Sequence, residues 1–284
     1  MKESTKYKQT HKADFGRERI RVIFMDEWLC VIEKPSGMLS CAYPGSRSRT
    51  AQDALESILR SKGELSSRRK PLVVHRLDRD TSGIMMFALT ESAQQKIMAT
   101  WHKMVTGRLY RAVAENPRNK NDFLPDNGII DEPIALNAHK VGFVPKDASK
   151  IKTFSARTHF CVIERGKSHT LFELELDTGR KNQIRAHLAF HGYPIAGDEE
   201  HRAKTDFFHR LCLHARTLSF VHPFTGEELS FCEEEPKEWR EYVIRGDENA
   251  QKAIWAIERK KKQQPLVLGE KRISAKDRAH GKFF

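Results

Sequence analysis

Nine residues constrain this chain more than any others: His75-Arg76-Leu77-Asp78-Arg79-Asp80-Thr81-Ser82-Gly83, set between the apolar runs Pro71 to Val74 and Ile84 to Leu89. Five of the nine side chains are charged or titratable, and a packed core excludes such a run unless each charge finds a partner. The flanking runs are short and apolar, which suits strands, the second buried on both faces. The charged run is then a loop at the end of a sheet, where a rigid scaffold can present reactive groups. Asp78 stands between arginines, and Thr81-Ser82-Gly83 can close the turn. An ordinary charged turn, in which Asp78 or Asp80 accepts backbone hydrogen bonds, explains the composition of this run as well.

The rest of the chain supplies the frame. Val22 to Phe24 and Trp28 to Ile32 flank Asp26-Glu27 as a hairpin ending at Lys34-Pro35-Ser36-Gly37. Thr50 to Arg60 reads as an amphipathic helix capped by Thr50, with Ala51, Ala54, Leu55 and Ile58 on one face. Ser92 to Val105 reads as a helix and Leu109 to Ala114 as a strand, followed by loops and short strands from Asn116 to Lys152. His169 to Leu176 alternates as a half-buried strand. Asn182 to Phe190 has helical spacing, with Ile184, Leu188 and Ala189 inward and Gly192 as its stop. A last hairpin turns at Pro223-Phe224-Thr225-Gly226. Ala250 to Lys262 has the pattern of a further helix. The expected class is α+β, with a mixed, mostly antiparallel sheet and flanking helices.

The chain of 284 residues carries a net charge of +12, which favours polyanionic partners through counterion release. From Arg245 onward there are eleven Lys/Arg against five Asp/Glu, half of that surplus in about a seventh of the length. Three parts are expected: a basic arm over 1–19, a catalytic domain over 20–245 and a basic extension over 246–284. Five scattered cysteines without a C-x-x-C pair point to neither a disulfide framework nor a zinc site, and to a reducing cytoplasm. No apolar stretch reaches the length of a membrane span.

HRLDRDTSG matches the pattern HRLDxxTSG of RluA-type RNA pseudouridine synthases at every fixed position. Four further blocks follow that family's order. VIEKPSGMLS resembles its KPxG hairpin, and Arg108-Leu109-Tyr110-Arg111-Ala112 its K/R-x-Y-x-A strand. LDTGRKNQIRAHLAFHGYPIAGD resembles its TGRxHQIRxH…GxPIxGD run, and LCLHARTLSFVHPFTGEELSF its closing LHAxxLxFxHPxTGE segment. The resemblance spans Val22 to Glu233. It implies the pseudouridine synthase fold with a central active-site cleft, and isomerisation of uridine in structured RNA, either large-subunit rRNA or tRNA. Such a reaction needs no metal and no organic cofactor. About twenty residues precede the first strand, too few for the S4 domain of longer members, so the chain resembles the single-domain ones, expected here as a cytoplasmic monomer.

The resemblance assigns Asp78 as the catalytic carboxylate, acting as nucleophile or base. It gives Tyr110 a place stacked on the displaced base, and Arg185 the task of pairing with the carboxylate. Without the motif, Tyr110 is equally a core tyrosine and Arg185 a helix-surface arginine. Arg76 is the candidate for entering the RNA while the target nucleotide is extruded, though an ion pair with Asp80 is also open to it. His75, Arg79, Arg180, Lys181 and Asn182 are further candidates for RNA contact. Two departures stand out: Asn182 occupies a position where the family usually has His, and His201-Arg202 replaces its usual Tyr-Gly after Gly197-Asp198. Asn cannot titrate, so position 182 is not expected to serve as an acid or base. His75, His187 and His214 lack the spacing of a metal site and read as hydrogen-bonding or packing residues. The competing functional readings are a non-catalytic RNA-binding protein on the same fold and a basic DNA-binding or nuclease domain, the latter lacking a carboxylate cluster for two metals.

Overall fold

The computed structural model describes residues 19–46 and 48–245. The 246–284 extension, its helix over Ala250 to Lys262, and almost all of the 1–19 arm lie outside the described residues.

Strands β1 (Arg21–Met25) and β2 (Leu29–Lys34) form the first hairpin. Its turn closes because Asp26 Oδ1 accepts from the backbone N–H groups of Trp28 and Leu29 at 2.7 and 2.8 Å, the local bonding that favours Asp in turns. Helix α1 (Ala51–Ser61) starts in a reciprocal cap: Thr50 Oγ1 accepts from Asp53 N, and Asp53 Oδ2 accepts from Thr50 N. The expected face of α1 is buried, with Leu59 added. Strand β3 (Leu72–Val73) precedes the charged loop and β4 (Ser82–Ala88) follows it. All seven residues of β4 are buried. Met85 and Phe87 pack with Leu55 and Ile58 of α1 on one face, while Ile84, Met86 and Ala88 pack on the other with Ile97 and Met104 of α2 (Glu91–Met104).

Next come β5 (Val105–Glu115), β6 (Asn127–Ile130), β7 (Ala135–Leu136) and β8 (Gly142–Phe143), then β9 (Thr158–Arg165) and β10 (His169–Leu176). Helix α3 (Gln183–Phe190), β11 (Leu213–Val221), β12 (Glu228–Cys232) and α4 (Lys237–Arg245) complete the described chain. One sheet runs in the order β1-β2-β4-β11-β5-β10-β9-β6, with β12 added to β11 and β3 to β4; β7 and β8 pair separately. Every ladder is antiparallel except β4 with β11, which run parallel through only two residue pairs, Ser82 with His214 and Gly83 with Ala215. The two antiparallel halves therefore meet at the starts of β4 and β11. At that junction Gly83 has φ +114°, and a side-chain carbon there would overlap the carbonyl of Ala215, so only glycine lets the two strands touch. The loop before β4 opens where the halves join.

Four elements differ from the reading of the sequence. Strand β9 and helix α4 were not anticipated. Strand β10 is not half-buried but buried at His169–Phe172 and Leu174, because β5 and β9 flank it. Helix α3 is buried from Gln183 through Leu188 rather than along one stripe, while Ala189 is only partly covered.

Candidate active site

The charged loop is held from a distance in sequence. Lys34 is fully buried, and its Nζ donates to the carbonyls of Pro35, Met38 and Arg79 at 2.8, 2.7 and 3.0 Å. Ser36 Oγ donates to Asp80 O, and Arg79 Nε to Gly37 O. Ser40 Oγ donates to Leu77 O and accepts from Leu77 N. The Lys34-to-Ser40 segment thus grips the backbone on both sides of Asp78. Beneath the loop, His214 Nε2 donates to Glu233 O, leaving Nδ1 to accept from Ser82 Oγ, which itself accepts from Arg210 Nη2 at 2.6 Å. Burial lowers the pKa of His214, in keeping with a neutral ring.

Asp78 keeps a side chain about one-third exposed. Its Oδ2 accepts from Asn182 Nδ2 at 2.7 Å and lies 3.7 Å from Arg185 Nη1; Oδ1 accepts no hydrogen bond among the described residues. Asn182 reaches it through an unusual backbone. It stands at the N-terminal cap of α3 with φ 55° and ψ 25° and makes no capping bond. A cap residue in extended conformation would turn its side chain onto the helix. The left-handed conformation, which Asn tolerates, instead frees the amide for Asp78 and for Gly142 N, which donates to Oδ1 at 3.0 Å.

Arg185 is buried and has closer partners than Asp78. Its Nε and Nη2 donate to Asp198 Oδ2 and Oδ1 at 2.7 and 2.6 Å, and Nη2 also to Glu200 at 2.6 Å. Burial opposes both charges of the Arg185–Asp198 pair, and the pairing outweighs it: Asp198 is held well below the usual carboxylate range and Arg185 above the usual guanidinium range. Asp198 also meets His201 Nδ1 at 3.0 Å, while His201 Nε2 faces Gly142 O at 2.8 Å.

Tyr110, on β5, lies across from Ala215 and Leu174 and packs against the α1-side core. Burial raises its hydroxyl pKa, Arg108 pulls it back and the nearby Asp78 pushes it up again. Arg108 ties β5 to the end of β10 by donating to Leu176 O at 2.7 Å.

Of the expected RNA contacts, Arg76, Arg79, Arg180 and Lys181 are exposed. Arg76 forms no ion pair with Asp80 among the described residues, and Arg180 Nε donates to Ser155 O. His75 is engaged within the fold. Its ring lies 4.7 Å from that of Trp101, and Nε2 accepts from Met86 N at 2.8 Å. Burial, with Arg108 adding to it, pushes its pKa down to about 3, in keeping with a neutral ring that accepts a hydrogen bond within the fold. His187 is likewise engaged at both nitrogens, by Thr158 Oγ1 and Glu132 O. No cluster of three or more His, Cys, Asp or Glu side chains among the described residues is arranged to hold a metal ion, and no helix among them is long and apolar enough to cross a membrane.

Sequence reasoning missed the direct Asn182–Asp78 bond, the role of Asp198 as main partner of Arg185, and Gly142. The Gly-Asp pair at 197–198 is visible in the motif, but its partner is not.

The model of the family described as RNA pseudouridylate synthase matches residues 29–190. An uncharacterised RNA pseudouridine synthase of Bacillus subtilis, YlyB, is 32% identical over 225 residues, covering 78% of this chain and 71% of the relative. Ribosomal large subunit pseudouridine synthase D of Zymomonas mobilis is 31% identical, covering 77% and 70%; that of Pseudomonas aeruginosa is 30% identical, covering 81% and 73%. Among solved structures, human RNA pseudouridylate synthase domain containing 4 superposes with a TM-score of 0.61 at 23% identity, over 77% of this chain and 89% of the other. The human domain-containing-1 protein gives 0.62 at 18% identity, over 86% and 97%; both likenesses concern the fold. This chain belongs to the RNA pseudouridine synthase family, of the RluA type, and is an isomerase acting on RNA.

Proposed function

We propose that the chain converts a uridine of large-subunit ribosomal RNA into pseudouridine, with Asp78 as the carboxylate at the sugar. The observation that carries this reading is the asymmetric setting of Asp78: Oδ2 is held by Asn182 beside Arg185, while Oδ1 accepts nothing among the described residues. Isomerisation breaks the bond from C1′ to N1 and forms one from C1′ to C5; C5 loses a proton and N1 gains one. Atoms and electrons balance without another reactant. A carboxylate oxygen with no partner is what either route through the sugar requires, attack at C1′ or proton removal from C2′.

Tyr110 lies near Asp78 with a partly buried ring suited to stacking on the detached base. Arg76, exposed two residues before Asp78, is suited to fill the gap left by an extruded nucleotide. Arg79, Arg180 and Lys181 supply exposed charge for the phosphate backbone. The ribosomal assignment draws on the names of the relatives in Zymomonas and Pseudomonas.

Pseudouridine mapping in total RNA from cells with and without this gene tests both parts. A large-subunit position should lose its pseudouridine in the deletion strain and regain it with the intact gene but not with Asp78→Asn, which should still bind the RNA. Loss confined to a tRNA would overturn the ribosomal substrate, and full restoration by Asp78→Asn would overturn the role of the carboxylate.

A further inference from the structure

The two departures from the family pattern, Asn182 and His201, meet on a single residue, Gly142. Gly142 N donates to Asn182 Oδ1 at 3.0 Å, and Gly142 O faces His201 Nε2 at 2.8 Å. From there the bonds close a ring around the carboxylate. Asn182 Nδ2 holds Asp78 Oδ2, His201 Nδ1 meets Asp198 Oδ2, Asp198 holds Arg185, and Arg185 approaches Asp78. Position 142 admits only glycine, since a side-chain carbon there would overlap the carbonyl of Lys181. Asn182 can fill its place because an amide donates and accepts at once. We propose that Asn182, Gly142 and His201 are positioning residues that act as one strut, by which the β7–β8 segment fixes the orientation of Asp78 relative to Arg185. This inference rests on the reading of Asp78 as the reacting carboxylate.

The strut makes a specific demand. Among the described residues Asn182 and His201 hydrogen-bond to no common side chain, so independent structural roles would give independent losses, whereas action through one residue, Gly142, makes the second loss redundant. The test uses the full chain with RNA from the deletion strain, labelled with tritium at uridine C5, since that hydrogen leaves when C5 joins the sugar. Single-turnover rates at saturating enzyme are compared with RNA affinity for His201→Phe, Asn182→Ala and the double variant. Each single substitution is expected to slow release about tenfold or more, as a small misplacement of a reacting group does, without changing affinity. The double variant should be no slower than the worse single one. His201→Gln, which keeps a donor for Gly142 O, should recover most of the loss. Multiplying losses, or a loss of affinity with an unchanged rate, overturns the strut. Should His201→Phe fail to fold, His201→Ala replaces it in the cycle with Asn182→Ala and carries the same expectation. Asp78→Asn runs alongside: its inactivity keeps the carboxylate reading standing whatever the cycle gives, and its activity removes that reading itself.

Discussion

The Arg185–Asp198 pair offers the sharpest test of how the site is held. The two side chains are 8% and 0% exposed and share two hydrogen bonds of 2.7 and 2.6 Å. Replacing Asp198 by Ala leaves the guanidinium buried, with Glu200, whose side chain is 53% exposed, and the more distant Asp78 as its remaining anions. Breaking a buried pair from one side costs roughly 3–5 kcal/mol. Because Glu200 stays in place, the expected loss is at the lower end, about 3 kcal/mol. For a domain of this size that corresponds to a drop in Tm of about 6–12 °C.

Urea unfolding at pH 7 measures the loss, and two companion experiments separate charge from shape. Arg185→Met with Asp198→Leu should be more stable than Asp198→Ala alone, since no uncompensated charge remains. The second companion is pH. Asp198 has a folded-state pKa depressed below its unfolded value of 3.8, so its contribution is complete above that value and is lost as the pH falls through the folded-state value. Asp198→Asn should therefore flatten the acid limb of the stability curve. A loss below about 1 kcal/mol for Asp198→Ala, or an acid limb unchanged in Asp198→Asn, would refute the reasoning.

His75 acts in the same direction as Asp198, in a higher pH window. With its folded-state pKa pushed down to about 3, it favours folding fully above its unfolded value near 6.5, and that contribution falls as the pH drops toward 3, at up to about 1.4 kcal/mol per pH unit. His75→Phe should shed one proton's worth of this slope between pH 6 and 4, and an equal slope in the variant would contradict the assignment. Gly83→Ala combines a left-handed φ with overlap on Ala215 and should cost about 3 kcal/mol or more; a wild-type melting temperature would show that the β4–β11 contact is looser than described. Arg202 is exposed and holds φ 65°. Arg202→Gly should relieve about 1–2 kcal/mol of backbone cost, partly offset by unfolded-chain entropy, for a net gain of about 0.5–1 kcal/mol in the same urea assay, and any loss of stability would contradict it.

Where residue spacing sets the outcome, the fold is legible. Thr50 and Asp53 announce the start of α1, Asp26 closes the first hairpin, and the apolar run in β4 implies burial on both faces. Strand β9 is harder to see because Cys161 is exposed and Val162 to Arg165 are only partly covered, so neither alternation nor a continuous apolar run marks it. In α4 the signal is present but short: Trp239, Tyr242 and Val243 are buried at helical spacing within nine residues, after an acidic run that reads as loop. Burial around α3 follows from its surroundings, since β8 and β9 pack against it, and no pattern inside the helix reports a neighbour that distant in sequence.

The same distinction runs through the site. Asp78, Tyr110 and Arg185 stand out as candidates because each falls in a motif, yet what orients them comes from elsewhere in the chain. The Asp78 loop takes its shape from Lys34, Ser36 and Ser40, some forty residues upstream, all acting on backbone carbonyls. A carbonyl looks the same under any side chain, so these bonds leave no trace in the composition of the loop they shape. Asn182 adds a second kind of concealment. Its residue type permits several roles, and the left-handed φ selects one by turning the amide off the helix end and onto Asp78. Substituting Asn for a titratable His at that point exchanges an acid–base group for a fixed donor–acceptor pair. An imidazole stands instead at His201, separated from the carboxylate by Gly142 and Asn182. Asn182 therefore has no proton to exchange with Asp78, and what it contributes to the carboxylate is a fixed direction, set by the backbone of α3 on one side and by Gly142 on the other.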